Sequence, residues 1–142
     1  MSDLLEPAQD ALFAALKGIE GADGLPEFTV YQHVPEEGPG DPFRNKIVVG
    51  QLASENAEGK IGRGEALEEI SAEIGFVYRG TGRGPMLAMM RAARGGLQNG
   101  GLEAEGAEFE APRWISAEAS NALADGVTYV GIQLYRFHAA PA

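Results

Sequence analysis

A chain of 142 residues without cysteine is long enough to bury one hydrophobic core as a single domain, and it excludes disulfides, thiolate catalysis and Cys-ligated zinc. The net charge of −10 is unevenly spread. Residues 1–43 carry nine acids and one base (Lys17), residues 44–94 eight bases and six acids, and residues 95–142 two bases and six acids. An acidic N-terminal third argues against wrapping a nucleic-acid backbone, which needs clustered Lys and Arg.

The first predicted element is a helix over about Glu6 to Lys17. Leu5, Ala8, Leu12, Ala15 and Leu16 form an apolar stripe, Pro7 suits the first turn, and Gly18 is expected to end the helix in a left-handed cap. The acidic Met1–Pro7 opening does not read as a signal peptide, and no window of about 18 apolar residues predicts a membrane span. A turn-rich segment, Glu20–Glu27, leads to a short strand over Phe28–Val34, stopped by Pro35. The run Pro35–Pro42 is loop. A second strand is predicted over Lys46–Leu52, followed by a Gly- and charge-rich excursion, Glu55–Gly64, expected to be mobile until a neighbour orders it.

From about Leu67 to Tyr78 the apolar residues alternate. Ile70, Ala72, Ile74, Phe76 and Tyr78 share one face; Ser71, Glu73, Gly75 and Val77 share the other. This period of two predicts a strand with one face on a core, in an antiparallel or mixed sheet. The glycines Gly80, Gly82 and Gly84 then turn the chain into a helix over about Pro85–Arg94, which Gly95-Gly96 is expected to stop, leaving Arg91 and Arg94 in its last turn. A Gly-rich linker, Asn99–Gly106, is expected to be mobile. Two closing strands follow, roughly Arg113–Ser120 and Thr128–His138, joined by a turn near Ala124-Asp125-Gly126. The order is α-β-β-β-α-β-β: an α+β fold with a mainly antiparallel sheet of about five strands and two helices on one face.

The chain carries few residue patterns that imply chemistry. Gly80-x-Gly82-x-Gly84 has Pro85 where a dinucleotide fingerprint needs its third glycine, and no Lys-Ser/Thr pair follows as in a phosphate-binding loop. A strand-to-helix hinge is the plain reading; an anion at the helix N-terminus near Arg79 and Arg83 is the alternative. His33 and His138 each close a strand and share no motif spacing, so no metal site and no nucleophile–base pair is expected. Glu69 and Glu73 lie opposite the apolar row, on a solvated face or one that meets a partner's bases. Met86, Met89 and Met90 read as core filler or an adaptable surface. Trp114 is either a core anchor or an interface residue. No catalytic residue, cofactor or metal is predicted, which leaves binding or assembly as the default class.

Val30-Tyr31-Gln32-His33-Val34-Pro35 carries a resemblance. With the Ala/Leu helix Ala8–Leu16 before it, the strand Ile47–Gly50 after it, and the long strand feeding a helix over Ala66–Leu97, the chain resembles the tail-completion, or tail-terminator, family of long-tailed phages and gene transfer agents. The resemblance implies a structural protein with no reaction. It would form a hexameric ring in the neck of the virion, built in the host cytoplasm. The ring caps the tail tube, joins it to the head connector and leaves a lumen through which DNA passes as cargo. The partners implied are copies of itself, the major tail-tube protein and the connector or stopper protein, with no membrane. Interface candidates are Arg79, Arg83, Arg91, Arg94, Trp114, Glu69 and Glu73. A small ligand-binding or regulatory α+β domain acting as a dimer is the alternative, and a hydrolase a third.

Overall fold

The computed structural model describes residues 4–33, 40, 42–57 and 67–142. Helix α1 (Leu5–Lys17) precedes strands β1 (Thr29–Tyr31), β2 (Lys46–Asn56) and β3 (Glu68–Arg79). Helix α2 (Gly84–Asn99) is followed by β4 (Ala107–Phe109), β5 (Arg113–Ala119) and β6 (Thr128–Pro141). The six strands form one sheet in the order β1-β2-β3-β6-β4, with β5 also paired to β6. All pairings are antiparallel except β1 with β2. That one is parallel, a pairing that a tight hairpin cannot make.

The α+β architecture agrees with the sequence reading, with differences at element ends. Gly18 stays right-handed (φ −63°) and the left-handed turn falls at Gly21 (φ 77°). Strand β1 is shorter than the predicted Phe28–Val34; its Val30 N–H donates to Glu20 Oε1 at 2.7 Å, so a carboxylate blocks part of this edge. Strand β2 extends through Asn56 with an irregularity between Val49 and Leu52. Of the Glu55–Gly64 excursion, residues 58–64 lie outside the described residues, as do Val34 of the predicted strand and residues 35–39 and 41 of the predicted loop.

Helix α2 runs past the predicted stop at Gly95-Gly96, so Arg91 and Arg94 are not in its last turn. The reason is packing. A Cβ at Gly96 would sit 3.2 Å from Ile19 Cγ2, so the glycine lets the two helices approach, and Leu97 beyond it is fully buried. The linker after it is not bare loop either: Leu102 joins the core and Ala107–Phe109 forms the unpredicted sixth strand, against Ala139–Pro141.

The core lies between the helices and one face of the sheet. Ile70, Ala72, Ile74 and Phe76 of β3 and Tyr135, Phe137 and Ala139 of β6 meet Ala8, Leu12 and Leu16 of α1 and Met86, Met89, Met90, Ala93 and Leu97 of α2. The three methionines are core residues, each at most 5% exposed. A Cβ at Gly131 would lie 2.9 Å from Met90 Sδ, so this glycine lets the helix settle on β6.

A short polar chain fixes that contact. Buried Tyr135 donates to Gln133 Oε1 at 2.7 Å, and Gln133 Nε2 donates to the Met90 carbonyl at 2.9 Å. Burial pushes the Tyr135 phenol well above its ordinary pKa, partly offset by the Arg94 charge. Truncating Gln133 leaves the phenol unpaired in an apolar setting. Gln133→Ala is expected to destabilise the fold by about 1–3 kcal/mol, read as a lower urea midpoint with an unchanged slope. An unchanged midpoint contradicts this account of helix placement.

Candidate assembly surface

Because side chains alternate, the β3–β6 register sorts every residue to the helix face or the open face. Glu69 faces His138, Ser71 faces Arg136, Glu73 faces Leu134, Gly75 faces Ile132 and Val77 faces Val130. On the other side of β6, Ser116 pairs with Leu134 and Glu118 with Ile132. The open face therefore carries an apolar column, Val130, Ile132 and Leu134, with Val77 beside it and carboxylates of β3 and β5 on either flank. Val130 and Ile132 are each 37% exposed. Glu118, Ala119, Ser120, Val130, Gly131 and Ile132 line a shallow depression of about 230 Å³ at one end of this column.

The predicted interface residues divide into two groups. Five of them, Trp114 included, are engaged within the chain. Arg79 Nε donates to Thr128 Oγ1 at 3.2 Å, and its guanidinium stacks 3.9 Å from the Phe43 ring centre. Arg83, just before α2, donates to the carbonyls of Ser120 at 3.1 Å and Ala119 at 3.5 Å and to Asn121 Oδ1 at 3.4 Å. Arg94 donates to Gln98 at 3.1 Å and covers the Trp114 ring at 4.1 Å. Glu69 lies 3.3 Å from His138 Nε2 and 3.9 Å from Arg113 Nη2, while His138 Nδ1 is 3.2 Å from Glu110. By contrast Arg91 and Glu73 have no side-chain partner among the described residues.

Of its two predicted parts, Trp114 takes that of a residue packed against the core. It is half-buried against the core under Arg94, and its indole N–H is buried with no partner among the described residues. His33 and His138 are not brought together: His33 follows β1 at the far edge of the sheet, and His138 is near the end of β6. No group of three or more His, Asp or Glu among the described residues has a geometry for a metal ion, and no described helix is long and apolar enough to cross a membrane.

The β5–β6 connection has its own anchor. Asp125 Oδ1 accepts the N–H groups of Val127 at 3.0 Å and Thr128 at 2.8 Å, and the Thr128 hydroxyl donates to Oδ2. Arg79 Nη2 lies 4.0 Å away. The loop is thus tied to the end of β3 by Arg79 and to the start of α2 by Arg83. The sequence identified the turn and the arginines but not the apolar column. Its signal was present: Val130, Ile132 and Leu134 alternate with Gln133, Tyr135 and Phe137, which marks a strand with apolar residues on both faces.

No protein-family model matches this chain, and no curated protein does. A solved structure does. A chain described as "Virion of native gene transfer agent (GTA) particle" superposes with a TM-score of 0.72 at 14% sequence identity, covering 100% of this chain and 100% of that one. The two chains share one fold from end to end. At this identity the likeness speaks for the fold, and function must come from the surface.

The Thr128 hydroxyl, the Val127 and Thr128 N–H groups and then Arg79 lower the Asp125 pKa from 3.8 to about 2. A depressed carboxylate pKa adds stability that is present above its unfolded value and is lost as pH falls through its folded value. Asp125→Ala is therefore expected to lower the urea midpoint by a constant amount down to about pH 5, with the gap to the wild type closing toward pH 2. A gap that does not change with pH excludes the ionised carboxylate as its source.

Proposed function

We propose that this chain is a virion structural protein and, within the particle, the tail terminator. Copies form a ring, six around, that caps the tail tube and joins it to the head connector, with DNA passing through the lumen. The observation that carries the reading is the full-length fold likeness to a chain from a gene transfer agent virion. The element order around Val30–Pro35 that resembles the tail-terminator family narrows it from virion component to terminator. Two features support it. The sheet is covered by helices on one face and bears exposed apolar residues on the other, so the two sides of the subunit are unlike. A closed ring needs unlike surfaces that meet head to tail. Charge is also segregated, with the acidic surplus in residues 1–43 and the basic surplus in residues 44–94.

In this reading Arg79 and Arg83 act indirectly, holding the β5–β6 loop at the rim of the subunit where a neighbour docks. Charged rim groups set register and orientation more than affinity.

The test is mass by light scattering with negative-stain imaging, across concentration and with the cognate tail-tube protein added. The expected result is closed rings of about six subunits, alone or at the ends of tubes. A monomer or dimer that never enters a ring, even beside tubes, contradicts the proposal.

A further inference from the structure

Opposite sides of this subunit carry complementary exposed groups. On the solvent side of α2, Leu87 is 41% exposed, and Arg91, one turn further along the helix, has no side-chain partner among the described residues. On the open face of the sheet, Val130 and Ile132 are exposed at the depression of about 230 Å³. Glu118 forms its edge, and Glu73 lies across Leu134; neither acid has a side-chain partner among the described residues. One side thus presents an apolar knob and an exposed cation one helical turn apart. The other presents an apolar hollow edged by the Glu118 carboxylate, with Glu73 further along the same face.

We propose that the occupant of the open sheet face is a second copy of this chain, docked through α2. Leu87 of one copy enters the hollow at Val130 and Ile132 of the next, and Arg91 pairs with Glu118. This rests on the ring reading above and names its surfaces. The contact is heterologous, because α2 lies on one side of the sheet and the hollow on the other. Each added copy leaves the same two surfaces free, so the series closes only as a ring or runs on as a filament. Apolar insertion supplies most of the affinity, while the charge pair selects the register.

The absence of cysteine makes a crosslinking test clean. A chain carrying both Leu87→Cys and Ile132→Cys, assembled and then oxidised, is expected to give a ladder of covalent oligomers up to the size of the ring. Leu87→Cys alone and Ile132→Cys alone are expected to stay monomeric on a denaturing gel. A dimer from either single variant means that like surfaces meet, and it overturns the proposal. Rings that assemble but give no ladder overturn it too, while leaving the ring reading standing; wild-type protein that never assembles removes both.

A charge exchange gives an independent measurement without cysteine. Arg91→Glu is expected to weaken assembly by roughly fivefold, and Arg91→Glu with Glu118→Arg in one chain to restore it, with unchanged melting temperature in both. Assembly indifferent to Arg91→Glu, or a double variant no better than the single, overturns the pairing.

Discussion

The β3–β6 register is the constraint on which the rest of the molecule depends. Twelve consecutive pairs, from Glu68 with Ala139 to Arg79 with Thr128, are matched without a slip. Because side chains alternate, this register puts Ile70, Ala72, Ile74 and Phe76 on the same side as Tyr135, Phe137 and Ala139. It equally puts Val77, Val130, Ile132 and Leu134 on the other. A slip of one residue would exchange the two sets, moving Glu69 and Glu73 into the core. The same pairing therefore decides where the helices sit and which surface is left uncovered.

Helix α2 is placed by contacts that follow from that register. Gly131 gives Met90 room against β6, and Gln133 ties the Met90 carbonyl to the Tyr135 hydroxyl. These groups leave the helix little freedom to slide. Its outer side, with Leu87 and Arg91, is thereby held at a fixed distance from the open face of the sheet. At the sheet's end, Arg79, Arg83 and Asp125 hold the β5–β6 loop by charge-assisted hydrogen bonds. Rigid placement of two distant surfaces is what repeated head-to-tail contact demands, since small errors accumulate around a ring.

The sequence carried the long elements because their signals are local. The period-two run at Ile70–Tyr78 and the apolar stripe of α1 need no tertiary information. What it carried less well depends on distant contacts. Gly95-Gly96 reads as a stop, yet Gly96 is where α2 meets Ile19 of the turn after α1. Strand β4 has only three residues and exists because the end of β6 offers it a partner. The arginines were legible as a basic cluster, but their division was not. Arg79, Arg83 and Arg94 find partners that lie 49, 37 and 20 or more positions away or across the fold, whereas Arg91 faces outward. Only three-dimensional placement separates a cation that secures a loop from one available to a neighbour.

The unlike faces of the sheet are the physical basis of the proposal that the subunit repeats by back-to-front contact. The most direct measurement is a cryo-electron microscopy reconstruction of the assembled protein at side-chain resolution. The account predicts rotational symmetry about the ring axis alone within a layer, with α2 of each subunit lying on the β5–β6 face of the next. Subunits related by two-fold axes, with open sheet faces packed against each other, would contradict it.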